Sequence, residues 1–395
     1  MKISTRIYLD AALQNVKSVA FFTFLPVLIA RLGATDFQIA LSNSLPPLFC
    51  ALSLAFLTRQ LPVTRGVYLT SGYVRQFAFL SMAVSVLLPH PIPVLLFFWG
   101  LNAVSVMITG AQQPAILRRV VPQEDFPKLF SNNKLIGIVI LVVGSYGIGY
   151  ALDATQQFFP KNYAISMLVG CLATFTGMNL IATLAPHEKK PIRLHMVRPF
   201  QECNRKLWWM AMNNIGIAMV APLFTIYHVK KLGLSNTDIA FFVIASGILS
   251  AILMPVTRRA IERFGAMRVY ATALMGMALV ILPYGKVSHY AALVVLQAIL
   301  GGCAAVTEVS TNSVMMEEAQ THKKEMDFFS DFQLLMNGGN AVGGLLSGVL
   351  LLVLPIWGCF LAIALVRLAV LLLLKPSPEQ ESRLKKGKRM VSQGV

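Results

Sequence analysis

The sequence predicts an all-α integral membrane protein, with twelve transmembrane helices arranged as two pseudo-symmetric six-helix bundles. Three observations carry that expectation. Of 395 residues, 56% are hydrophobic and only 13% charged, with a mean hydropathy of +0.66. A soluble domain carries about 25% charged residues, so this chain cannot cover itself with polar surface. Apolar runs of bilayer-spanning length, about 20 residues, recur from end to end. Finally, one decapeptide occurs twice without a gap: Arg-Leu-Gly-Ala-Thr-Asp-Phe-Gln-Ile-Ala at 31–40 and Lys-Leu-Gly-Leu-Ser-Asn-Thr-Asp-Ile-Ala at 231–240. Self-similarity at a long fixed offset means that one unit is used twice.

The expected spans are 7–30, 36–57, 67–88, 91–113, 133–152, 163–184, 207–228, 237–256, 269–285, 289–314, 329–352 and 354–374. Backbone polar groups find no water in hydrocarbon and the runs lack barrel alternation, so they are helices. Each decapeptide ends one helix and opens the next. Gly33 and Gly233 supply the permissive backbone of a helix end. Thr35 with Gln38, and Ser235 with Asp238, have the spacing of an N-terminal capping box.

The net charge of +17 would suit a nucleic-acid binder, but its distribution does not. Of 34 Lys and Arg, five fall in alternate loops (Arg31, Lys161, Lys230, Lys231, Lys286) and three inside helices (Lys17, Arg75, Arg367). The other 26 fall in the N-terminus, the C-terminal tail and every second loop. That asymmetry is the positive-inside rule, and it places both termini in the cytoplasm of a multi-pass, cytoplasmic (inner) membrane protein. The expected organisation is a first bundle over 1–184, a basic cytoplasmic linker over 185–206, a second bundle over 207–374 and a basic tail over 375–395. Lys385 to Arg389 in the tail suit anionic lipid heads. Cysteine spacing implies neither disulfides nor a metal knuckle. Asp10, Gln14, Asn15 and Lys17 interrupt the first apolar run, so it is not read as a cleavable signal.

The doubling extends beyond the decapeptide. Gln14-Asn15 matches Asn213-Asn214, Phe130-Ser131 matches Phe329-Ser330, Gly144 matches Gly343, and Gly149 matches Gly348. Two homologous halves in one orientation form the parallel repeat of a transporter. Six plus six helices with cytoplasmic termini and a basic central loop resemble the major facilitator superfamily over the whole chain. Its Gly-x-x-x-Asp-Arg-x-Gly-Arg-Arg-like signature is partly present as Glu262, Arg263, Gly265 and Arg268. In the first half, Thr58 to Gly66 keeps bases but has no acid. The resemblance implies gating by the second-half motif, and a central cavity lined by helices one, four, seven and ten.

Polar residues in these helices are the functional candidates, because each is costly in hydrocarbon. On helix one, Asp10, Gln14 and Lys17 share a face. On helix four, Asn102, Ser105, Thr109 and Gln112 form a stripe with Gln113 beside it. Helix seven offers Asn213 and Asn214, and helix ten Glu308, Thr311 and Asn312. These are the four helices that the resemblance places at the cavity, so the uncharged members and Lys17 are the expected substrate contacts. For any single amide or hydroxyl, the alternative is ordinary helix–helix bonding. Glu308, a solitary acid on a cavity-type helix, is the first proton-coupling candidate, its alternative being a structural partner for Lys17 or Arg118. Asp10, near the cytoplasmic rim, is the second. Arg75 and Arg367 are expected to pack or snorkel, and Arg31 and Lys231 to line an outer vestibule. Glycines on helices five and eleven suggest a surface on which the halves rock.

No GxxxxGK[ST] phosphate loop, HExxH or GxSxG is present, so neither an enzyme nor a cofactor or metal is implied. The reading is a secondary active transporter of a small organic solute, proton-coupled and alternating access by rocking. A neutral, polar or zwitterionic solute fits the expected cavity. The alternatives are an exporter of an amphiphile or lipid, and a transporter-like membrane sensor or assembly factor without transport. The expected partners are the solute, a proton or other ion and the bilayer, with no nucleic acid; a monomer suffices for the fold.

Overall fold

The computed structural model describes residues 3–122, 126–187, 200, 204–319 and 325–372. The first half contains α1 (Ile3–Arg31), α2 (Asp36–Phe56), α3 (Arg65–Ser85), α4 (Pro91–Val120), α5 (Phe126–Ala154) and α6 (Lys161–Ala182). The second contains α7 (Arg205–Lys231), α8 (Asn236–Phe264), α9 (Ala266–Ile281), α10 (Tyr290–Ala319), α11 (Glu325–Val353) and α12 (Ile356–Leu372). Among the described residues, nine of these helices are long and apolar enough to cross a bilayer, and α9 and α12 are shorter apolar helices. The chain is a multi-pass membrane protein. Most of the 185–206 stretch with Cys203, the 375–395 tail and the side chain of Asp327 lie outside the described residues.

The decapeptide corners form for the reasons legible in sequence. Gly33 (φ 84°) and Gly233 (φ 64°) take left-handed backbone, which favours glycine. Thr35 Oγ1 accepts from the Gln38 backbone N–H at 3.2 Å, and Gln38 Oε1 accepts from the Thr35 N–H at 2.9 Å. Ser235 and Asp238 repeat this box at 3.0 and 2.9 Å. Both corners lie on one face of the molecule, here the corner face; the start of α1 and the end of α12 lie on the opposite, terminal face. The expected spans differ from the helices mainly at that terminal face. α4 runs seven residues past position 113, α5 starts at Phe126 rather than 133, and α8 and α10 run past 256 and 314. A helix that projects into water needs no apolar residues, so an apolar window ends too early.

The repeat is visible in helix contacts. A Cβ on Gly144 would meet Val19 of α1, and one on Gly343 would meet Ile215 of α7, so these glycines let α5 and α11 approach the first helix of their own half. A Cβ on Gly149 would stand 2.9 Å from the Asn236 carbonyl of α8, and one on Gly348 would stand 3.0 Å from Ala40 of α2. Those two face the opposite half. The two small-residue steps of α11 therefore divide: Gly339 and Gly343 serve packing within the half, and Gly344 and Gly348 serve the interface. One substitution pair tests the assignment. Gly343→Ala drives a methyl into the Ile215 backbone oxygen and is expected to destabilise the protein by about 1–3 kcal/mol. Gly147→Ala meets nothing within 4 Å and is expected to be neutral or stabilising. Denaturant unfolding in detergent checks both.

Candidate functional site

A cavity of about 510 Å³ lies between the halves. Its walls are α5 from the first half and α7, α8 and α10 from the second. At the corner end it is closed by Thr23, Pro26 and Val27 of α1 against Phe224, Thr225 and His228 of α7. Both helices depart from α geometry there. α1 passes through a π turn at Ser18–Phe22 before Pro26, and α7 ends in one at Ile226–Lys231 after Pro222. π turns inside helices are rare and concentrate at functional sites. His228 is 4% exposed, with Nε2 lacking a hydrogen-bond partner. Its ring stacks on Phe224 at 5.7 Å and lies 4.7 Å from Phe242. Towards the terminal face, the cavity's charged walls are Lys134 of α5 and Glu308 of α10. Glu308 is exposed, and among the described residues no hydrogen bond or ion pair holds it. The structural pairing with Lys17 or Arg118 is not formed.

A second cavity of about 470 Å³ adjoins the first, sharing Lys134, Ile138 and Leu141. Asp10, Gln14, Asn15, Gln113 and Asn133 line it. Asp10 is 1% exposed, so it lies inside the bundle rather than on its surface. Its Oδ1 accepts from Gln14 Nε2 at 3.1 Å and its Oδ2 from Gln113 Nε2 at 2.8 Å. Lys17 donates to Gln14 Oε1 at 3.1 Å and lies 5.0 Å from the centre of the Phe22 ring, an arrangement that stabilises a cation. The carboxylate fits against α6 because position 177 is glycine; a Cβ there would stand 2.6 Å from Asp10 Oδ1. Arg75, 4% exposed, and Lys17 are the cations whose fields reach Asp10. Arg75 and Arg367 therefore do not snorkel. Both point into their bundles, and each leaves Nε and Nη2 without a partner.

The helix-four stripe is brought together, but inside the first bundle. Asn102, Ser105, Thr109 and Gln112 are all buried, and none lines the two cavities described above. Thr109 donates to its own helix and Gln112 to the Pro62 carbonyl at 3.4 Å, while Asn102 Oδ1 and Gln112 Oε1 have no partner. A polar stripe avoids lipid equally well by facing a cavity or a neighbouring helix. On α7, Asn213 is buried and donates to Trp209. Asn214 donates to the Met336 carbonyl and to Asn340 of α11, an interhelical bond of the ordinary kind. Thr311 and Asn312 lie one turn beyond Glu308, half-buried and exposed respectively. The second-half motif engages its own half: Glu262 accepts from Arg258 at 3.0 Å, Arg263 lies over Phe264, and Gly265 (φ 84°) turns the chain into α9, where Arg268 lies in the first turn.

The corner face carries a seal that the sequence did not disclose. Asp153, at the end of α5, accepts four hydrogen bonds from the start of α8. They come from the Asn236 N–H (3.0 Å) and Nδ2 (2.8 Å) and the Thr237 N–H (2.8 Å) and Oγ1 (2.7 Å). Tyr163 donates to Asn236 Oδ1 at 2.6 Å, Arg31 donates to Tyr163 and to the Leu234 carbonyl, and Lys230 pairs with Asp36 at 2.7 Å. All of these except the Arg31–Tyr163 bond join opposite halves. Arg31 therefore lies in the seal rather than on an open vestibule, and Lys231 lies over the Tyr227 ring. Lys134, Asn133, Asn15 and His228 were also missed by sequence reasoning. The signal for Lys134 was a polar residue two turns inside a helix whose start was set too late.

Residues 207–394 match the family model described as Major Facilitator Superfamily. No curated protein matches the chain. Among solved structures, the chain is similar to a bacterial homologue of the iron transporter ferroportin in an inward-facing state, with TM-score 0.69, 13% identity, and coverage of 94% of this chain and 96% of that one. It is similar to the nucleoside transporter NupG, at TM-score 0.64 and 12% identity, covering 94% and 98%. It is also similar to a D-xylose-proton symporter, at TM-score 0.65 and 13% identity, covering 96% and 98%. The fold is shared with these solved transporter structures.

Proposed function

We propose that this chain, whose residues 207–394 match the Major Facilitator Superfamily model and whose fold is shared with solved transporters, carries out secondary active transport of a small organic solute by rocking of its two halves. The observation that carries the reading is the central cavity. It lies between the halves, it is shut at the corner face by the Asp153 seal, and it presents two charged walls. Its volume falls within the range of about 300–1,000 Å³ common for small-molecule sites. Charge asymmetry between loops supports cytoplasmic termini and an inner-membrane setting. In that orientation the corner face is external and the structure is inward-facing. The glycines at 149, 344 and 348 support a close, smooth interface on which the halves turn. The motif at Glu262, Arg263, Gly265 and Arg268 is then disengaged here and gates the cytoplasmic side when that side closes.

The coupling ion in this reading is the proton, and Glu308 carries it. The support is a cavity-facing carboxyl that no described side chain holds. Asp10 is the second carrier candidate, since it lines the adjoining cavity and shares the wall residue Lys134. Reconstituted vesicles with an internal pH dye test the assignment against a panel of amino acids, sugars and nucleosides. A solute that drives proton movement through the wild type should still exchange through Glu308→Gln but should no longer move protons. Full transport by that variant with unchanged pH dependence sinks the role of Glu308. Absence of any solute flux in the wild type favours a sensor or assembly factor.

A further inference from the structure

We infer that the central cavity takes a zwitterionic solute, with Lys134 receiving its carboxylate and Glu308 its ammonium. The inference rests on the reading of that cavity as the solute site. Lys134 and Glu308 are the only formally charged side chains among the described residues that line it. They come from opposite halves, and neither has a hydrogen-bond or ion-pair partner among the described residues. At about 1.5 Å per residue, Lys134 lies about 12 Å along α5 from Phe126, and Glu308 about 16 Å along α10 from Ala319. The two opposite charges thus stand on walls from opposite halves, each at least two turns inside its helix.

Transport requires the halves to close over this space and expel water. A buried charge without a counter-charge is strongly unfavourable, and removing one member of a buried pair strands the other. A neutral solute leaves both Lys134 and Glu308 uncompensated on closure. An anion or a cation compensates one of them. A solute with one carboxylate and one ammonium compensates both, and draws the two halves together through its own body. The remaining walls suit an apolar body: Leu141, Ile239, Phe242 and Val243 continue the cavity towards the corner face. Direct pairing of Lys134 with Glu308 is the competing use of the same charges, and the test separates the two.

The probes are L-leucine, L-leucyl-L-leucine and 6-aminohexanoic acid, each compared with its N-acetyl derivative and its amide. Binding to the purified full chain is read by equilibrium dialysis and by ligand-induced thermal shift, which reports binding to the folded state. At least one zwitterion is expected to bind ten times or more tighter than both its blocked forms. Lys134→Gln should remove the preference over the amide, and Glu308→Gln the preference over the N-acetyl form. The exchange Lys134→Glu with Glu308→Lys should restore zwitterion binding. Equal binding of all three forms, or binding by none of the zwitterions, overturns the inference; so does a restored exchange variant whose wild type shows no preference. Selective binding without vesicle uptake would instead remove the transport reading and leave this one standing. Uptake of a neutral solute with zwitterions ignored would do the reverse.

Discussion

Asp153→Ala is expected to open the corner face, shifting the ratio of the two orientations by roughly 30-fold towards the corner-open form. One carboxylate holds four hydrogen bonds from Asn236 and Thr237, two of them from backbone N–H groups in the first turn of α8. Hydrogen bonds to charged groups contribute about 1.5–3 kcal/mol each, and a carboxylate at a helix N-terminus adds to that through the helix dipole. Contributions sharing one group do not add, so about 2 kcal/mol is assigned to the whole, and 1.4 kcal/mol is a factor of ten. The effect is large because it is unduplicated. Gly149 and Gly348 occupy matching places in the two halves, but the repeat position of Asp153 is Leu352, which is 75% exposed. α2 therefore has no equivalent carboxylate from the opposite half. Asp153→Asn, which retains an acceptor but no charge, should fall between the two. Thiol-reagent access to a cysteine introduced at Ser246, measured from each side of the membrane, reads the shift.

Asp10→Ala is expected to lower the stability of the fold itself, by about 3 kcal/mol. The first bundle buries Lys17 and Arg75 with Asp10 as the acid whose charge reaches both. Removing the anion strands two buried cations, and breaking buried ionic arrangements costs about 3–5 kcal/mol. It also leaves the Gln14 and Gln113 amides without their acceptor. Asp10→Asn keeps one acceptor oxygen and should cost less. Arg75→Met made together with Asp10→Ala should recover part of the loss, because a cation is removed with the anion. Unfolding in mixed micelles measures all three. A loss under about 1 kcal/mol in Asp10→Ala would mean that water in the adjoining cavity already solvates the cluster.

What was legible in the sequence was whatever local chemistry decides. Span positions followed from apolar length. Corner geometry followed from Gly33, Thr35 and Gln38 and from their copies at 233, 235 and 238. The doubling predicted that Gly144 and Gly343, and Gly149 and Gly348, would play equal parts, and they do. What was not legible depends on which helix stands opposite. Asn102, Ser105, Thr109 and Gln112 had the right spacing for a cavity wall, but the same spacing suits a bundle interior, and no sequence term separates them. Asp153 looked like a loop residue until α8 was placed beside it. Arg75 and Arg367 were expected to pack or to snorkel, and it took the helix arrangement to decide for packing, since both are turned inwards. Lys134 was counted with a loop, because α5 begins at Phe126, outside the bilayer, and a helix gives no apolar signal for the turns before it enters.

Rocking makes a demand that simple loosening does not: one face must close as the other opens. Spin labels at Gln157 and Ser288 report the corner face, and labels at Arg119 and Met316 the terminal face; all four positions are exposed and outside the seal. Distances in both pairs, measured in wild type and in Asp153→Ala, test the account most directly. The predicted result is reciprocal, with the corner pair lengthening and the terminal pair shortening in the same population. A corner pair that lengthens while the terminal pair stays unchanged, or two pairs that both stay unchanged, would contradict it.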